Sequence, residues 1–99
     1  MKTLLILLAL AAQCHAAQLA SWYLPRVPGL VAASRLFPVG ALVKVTEIHN
    51  GSWVIVKIIE RGPNLRFTGI RVIDLSPAAF QKLDALPLGL AEVTIRRIK

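Results

Sequence analysis

The 99-residue chain is poor in the groups that most often carry chemistry. It has one cysteine, Cys14, and two histidines, His15 and His49. A lone cysteine excludes an internal disulfide. One histidine in the body of the chain, without a thiol, excludes an ordinary zinc site. The same shortage argues against a serine–histidine hydrolase, because His49 lies beside Asn50-Gly51 and reads as a solvated turn residue. Acids are scarce too, with 5 Asp and Glu against 12 Lys and Arg, for a net charge of +7. Such a balance points to anionic partners, or only to solubility. Aromatics make up 6% of the chain and are not interleaved with the basic residues. Single-strand nucleic acid is held on stacked aromatics in a basic groove, so no nucleic-acid partner is expected.

Long apolar runs are also lacking. The longest, Leu4 to Ala12, has nine residues, against the ~20 needed to cross a bilayer. With Lys2 before it and Gln13-Cys14-His15-Ala16-Ala17 after it, the run reads as a secretory leader. Cleavage after Ala16 gives a leader at 1–16 and a single domain at 17–99 with no membrane span. Loss of Lys2 lowers the basic count from 12 to 11 against 5 acids, a net of +6. Lipidation at Cys14 is the lesser reading, since that processing favours a small residue where Gln13 stands. An exported domain without disulfides suits a bacterial envelope, in the periplasm or released outside. A monomer is expected.

What is present is mostly β pattern. Residues 19–23 read as a short strand, and a second falls at Val31 to Ser34 within a Pro- and Gly-rich stretch. Ala41 to His49 and Ser52 to Ile59 alternate around Asn50-Gly51, which predicts a hairpin with a tight type I′ turn. Ile70 to Leu75 is a further strand, interrupted by Arg71. Ser76-Pro77 is an N-cap followed by proline at the first helical position, which predicts a helix from Ala78 to about Ala85. Phe80 and Leu83 face the core. Ala91 to Ile98 is the last strand, with Val93 and Ile95 inward. Five or six short strands with one helix suit a small closed barrel.

Two carboxylates stand at strand ends in this pattern. Glu60 opens Glu60-Arg61-Gly62-Pro63, and Asp74 lies within Val72-Ile73-Asp74-Leu75-Ser76-Pro77. Together with Ala20-Ser21-Trp22-Tyr23, Ala32-Ala33, Pro38-Val39-Gly40, Val43-Lys44-Val45-Thr46 and Asn50-Gly51, these segments resemble, in order, the rare lipoprotein A (RlpA-like) family. The resemblance covers nearly all of residues 20–98. It implies an all-β fold, a six-stranded double-psi β-barrel with one short helix, related to expansins. It also implies work on peptidoglycan, since active members are lytic transglycosylases that cleave glycan strands lacking stem peptides. The chain departs from the family in three places. The loop Leu24 to Val31 is short and carries no acid, Ser34 stands where the family has histidine, and Glu60 replaces an aspartate.

Lytic cleavage needs no cofactor and no metal. One carboxylic acid protonates the leaving oxygen, and the resulting carboxylate takes the proton of the sugar's own 6-hydroxyl as a 1,6-anhydro ring closes. The resemblance makes Asp74 the first candidate acid and Glu60 its partner or replacement. Asp74 can equally support the helix start, and Glu60 can pair with Arg61, Arg66 or Arg71. Those three arginines, near the Gly62-Pro63 turn, are candidates for holding glycan carboxylates. Trp22, Tyr23 and Trp53 are candidates for stacking on sugars, with Ser34 beside them in the substrate site. Trp53 falls on the phase opposite Val54 and Val56, and so outward. Besides cleavage, two other readings stand: a glycan-binding or wall-loosening module, and an inhibitor or effector with a protein target.

Overall fold

A computed structural model of the chain describes residues 18–63 and 70–99. The leader expected at 1–16, with Cys14, and Arg66 lie outside the described residues. The strands are β1 (Leu19–Trp22), β2 (Val31–Ala33), β3 (Leu42–Glu47), β4 (Trp53–Glu60), β5 (Arg71–Leu75) and β6 (Leu90–Arg97). They close into one barrel in the order β1-β5-β2-β4-β3-β6. The β1–β5 and β2–β4 pairs are parallel and the others antiparallel. The six strands and one short helix expected from the sequence are those found.

Period-two patterning decides which side chains go inside. In β3 and β4, Val43, Val45, Val54, Val56 and Ile58 are buried, while Trp53, Ile55 and Lys57 face solvent. Ile73, Leu75 and Val93 complete a β-branched and leucine lining, and alanines at 20, 32 and 91 let strands approach across a narrow interior. Side chains fill a barrel this small.

The helix α1 (Pro77–Gln81) supplies Phe80, which is fully buried against this lining. Its start is as expected: the Ser76 hydroxyl accepts from the Ala79 N–H, and Pro77 follows. The same hydroxyl donates to the Gly29 carbonyl at 2.8 Å, tying the loop before β2 to the helix. The helix is shorter than the 78–85 expected. The N–H groups of Leu83 and Asp84 both reach back to the Phe80 carbonyl, tightening the chain and dropping Leu83 into the core. Ala85 is extended, and Leu86–Leu88 form a separate 3₁₀ turn around Pro87.

The hairpin turn also differs from the type I′ expected. Only Gly51 has positive φ, at 75°, and no other residue type does so among the described residues. Glu47 explains the wider loop. It is 2% exposed, and its two carboxylate oxygens accept the N–H groups of His49 and Asn50, each at 2.8 Å. Asn50 in turn donates from Nδ2 to the Leu83 carbonyl at 3.0 Å, locking the hairpin to the segment after α1. A buried acid with two backbone donors outweighs the dipeptide's preference for a tight turn.

The His49 N–H bond is the main influence holding the Glu47 carboxyl below its ordinary value of 4.5, with the Asn50 N–H adding to it against the opposing effect of burial. The folded state thus binds this proton less readily than the unfolded state. The stabilisation is complete above pH 4.5 and is lost as pH falls through the lowered value. Thermal melts from pH 7 to pH 3 should show a falling Tm below about pH 4.5. Glu47→Gln should melt lower at pH 7 and lose part of that acid dependence. Superimposable acid curves for the two proteins would overturn this account.

Candidate functional site

The acids at 60 and 74 sit where the strands depart from regular pleating. Opposite Leu19 and Ala20 of β1, strand β5 offers Arg71 and then Ile73, leaving Val72 as an extra residue. Opposite Ala32 and Ala33 of β2, strand β4 offers Ile58 and then Glu60, leaving Ile59 extra. Such bulges change which face the following side chains take. In a regular strand, Arg71 and Asp74 would point to opposite faces, and Glu60 would follow Ile58 inward. Here Val72 and Ile73 are both buried, Arg71 and Asp74 share a side, and Glu60 is exposed.

The two acids flank one residue. Ala33 pairs with Glu60 on one side and Asp74 on the other, two strand spacings, or about 10 Å, between Cα atoms. Tyr23, just beyond β1, stands beside both. Its hydroxyl is sealed from solvent and makes no hydrogen bond of good geometry. Burial first, then the adjacent Glu60 carboxylate and the charge of Asp74, hold the phenol above its ordinary pKa of 10.0, so it stays neutral with a proton to donate.

Asp74 is held by one oxygen. Oδ1 accepts from the Ser21 hydroxyl and from Arg71 Nη2 at 3.3 Å. Arg71 also donates from Nε and Nη2 to Ser21 Oγ at 3.1 and 2.8 Å. Ser21 and Asp74 are register partners in the parallel pair, which brings a hydroxyl to a carboxylate 53 residues away. Oδ2 has no donor among the described residues. The Asp74 side chain is 14% exposed. An open groove of about 630 Å³ runs past Ser21, Trp22, Arg71, Leu86, Pro87 and Leu90. A smaller cavity of about 220 Å³, lined by Arg35, Leu36, Gly62, Pro63 and Val72, shares Arg71 as a wall.

The remaining candidates divide. Trp22 is half-buried, donates from Nε1 to the Leu86 carbonyl at 2.9 Å, packs against the core and lines the groove. Ser34 has no surface to offer. It is 0% exposed, donates to the Val72 carbonyl at 2.9 Å and accepts the Leu36 N–H at 3.2 Å. Of the three candidate arginines, Arg71 pairs with Asp74 and lines the cavity beside Gly62 and Pro63, Arg61 is exposed, and Arg66 lies outside the described residues. No described cation pairs with Glu60, and Asp74 engages Ser21 rather than the helix start. Trp53 is at the far end of β4 from Glu60, roughly 24 Å along the strand, and so outside this site. His49 lies 3.6 Å from Glu92 at the hairpin end. No metal-binding group of His, Cys, Asp and Glu exists among the described residues. The sequence singled out both acids but missed Ser21 as the partner of Asp74. The adjacent apolar pairs Val72-Ile73 and Ile58-Ile59, which break alternation, were the available signal.

The profile of the family described as "Lytic transglycolase" matches residues 15–95. The chain belongs to that family. Within it, the chain is 39% identical over 92 residues to the "Endolytic peptidoglycan transglycosylase RlpA" of Neisseria meningitidis, covering 80% of this chain and 37% of the relative. It is 43% identical over 70 residues to the RlpA of Pseudomonas aeruginosa, covering 71% of this chain and 20% of the relative. The chain therefore spans about a third or less of these relatives. Among solved structures, a Clavibacter michiganensis expansin superposes with a TM-score of 0.67 at 18% identity, over 85% of this chain and 50% of the expansin. Cerato-platanin 3 of M. perniciosa superposes with 0.59 at 19% identity, over 75% and 63%. These likenesses establish the double-psi β-barrel fold.

Gly62 in the family segment Arg61-Gly62-Pro63 packs over Ala33 and Asp74. A Cβ there would lie 3.2 Å from the Ala33 Cβ and 3.8 Å from Asp74 Oδ2. Gly62→Ala should destabilise the fold by about 1–3 kcal/mol, read as a lower denaturation midpoint in urea. An unchanged midpoint would show that Ala33 is not packed beneath residue 62.

Proposed function

We propose that this barrel cleaves peptidoglycan glycan strands without hydrolysis, with Asp74 as the acid and then the base. The carrying observation is the placement of Asp74: Ser21 and Arg71 hold Oδ1, Oδ2 has no donor among the described residues, and the same Ser21 and Arg71 line an open groove. In the acid form, the free oxygen protonates the bridging oxygen as the C1–O bond breaks. The carboxylate so formed removes the proton of the 6-hydroxyl, whose oxygen closes on C1. One proton leaves Asp74 and one returns, so the residue ends each cycle as it began. Glu60, exposed on β4 two strands away across Ala33, is the second carboxylate offered to the sugar. Tyr23 stays neutral beside them, and Trp22 lines the groove that receives the polymer. The names of the transglycosylase relatives support the substrate class, and the leader at 1–16 supports action in the cell envelope.

A second reading, a glycan-binding module that does not cleave, is favoured by one observation. Asp74 is ion-paired to Arg71, while Ser34, at the family's histidine position, is sealed inside. Incubation with glycan strands stripped of stem peptides separates the two. Cleavage predicts 1,6-anhydro-ended fragments by mass spectrometry, with Asp74→Asn reducing their rate by about 10²–10⁴-fold. Retention of the strands without any fragments would replace the first reading with the second.

A further inference from the structure

Apart from Glu60 and Leu90 at their ends, the strands β4, β3 and β6 make an outer wall that has no part in the cleft. In the closed order, β3 lies three strands from β5 in either direction, so this wall is opposite Asp74. Cross-strand register sets Thr46 beside Trp53, and Lys44 between Ile55 and Arg96. Trp53 is 55% exposed and Ile55 38%. The Lys44 ammonium lies 4.7 Å from the Trp53 ring centre. Lys57, next outward on β4, carries the positive strip into a depression that it shares with Arg97 and Leu42. Among the described residues, Lys44, Lys57 and Arg96 form no ion pair. The exposed acid on β6, Glu92, faces His49 at the hairpin end.

We propose that this wall is a second binding surface, for an acidic polysaccharide. Its charge is uncompensated and of one sign, which calls for an anionic partner. The exposed indole gives a flat apolar platform for a sugar face, with Lys44 on the adjacent strand and Arg96 one strand further to take carboxylates. Arg96 can do so through two parallel bonds. The outward side chains lie along three adjacent strands, which fits an extended polymer rather than a small ligand. A membrane surface fits less well. Anchoring there needs a continuous apolar face to bury among the acyl chains, whereas here Trp53, Ile55 and Leu42 are interspersed with Lys44, Lys57, Arg96 and Arg97. The surface does not depend on cleavage at Asp74, and the same polymer chain could not lie flat on both sides of the barrel at once.

Polygalacturonate, a linear polymer with a carboxylate on every sugar, is the probe. Calorimetric titration of the full chain at low salt should show saturable binding that weakens as salt rises. Lys44→Gln with Arg96→Gln should weaken it at least tenfold, as should Trp53→Ala, while Lys44→Arg should retain it. Asp74→Asn should bind as the unaltered chain does. Binding unaffected by the Lys44 and Arg96 substitutions would overturn the proposal, as would binding lost in Asp74→Asn. So would no saturable binding, or a preference for phosphatidylglycerol vesicles over the polymer.

Discussion

In an unbroken strand, Arg71 could not reach Asp74, because residues three apart in a pleat face opposite ways. The extra residue at Val72 removes that obstacle, and the Ser21–Arg71–Asp74 cluster rests on it. The bulge at Ile59 does the corresponding work for Glu60, turning outward a side chain that strict alternation would bury. Both bulges border β2, whose Ala33 separates the two acids. The site is therefore a property of strand register before it is a property of any single residue. A carboxylate at either position of a regular barrel would be buried at high cost or face away from the groove.

Such irregular strand ends need a firm interior behind them. Phe80 provides much of it, and its position follows from the helix start. Ser76 serves three partners with one hydroxyl, the Ala79 N–H, the Val31 N–H and the Gly29 carbonyl. It thereby joins α1, β2 and the loop following Tyr23. On the other side, Asn50 joins the hairpin to the carbonyl of Leu83. Polar side chains thus fasten the connections, while the valine and isoleucine lining fills the middle.

The regular parts of this architecture were legible in the sequence. Val43 to Val45 and Val54 to Ile58 alternate cleanly, and the hairpin follows from that alone. Ser76-Pro77 marks the helix start in the way capping chemistry requires. The irregular parts were not legible, each for a physical reason. The Asn50-Gly51 turn widened because Glu47, one of few acids, is buried beneath it. The helix ended early in a tighter turn, with the Leu83 and Asp84 N–H groups sharing the Phe80 carbonyl and Ala85 extended ahead of Pro87. Trp53 was correctly read as outward, but phase says nothing about which end of a strand, or which wall of a barrel, a residue occupies. Asp74 and Glu60 were singled out by resemblance, whereas their orientation came from bulges that one strand cannot reveal without its partner.

The closing seam has a temporal consequence. Ala20 pairs with Ala91, so the first strand is held by the last, 71 positions further on. A ribosome must make nearly the whole domain before this ring can shut, and distant partners of this kind slow the search. Until then β1 lacks the partner that Leu90–Arg97 supplies, and the ring stays open at that seam.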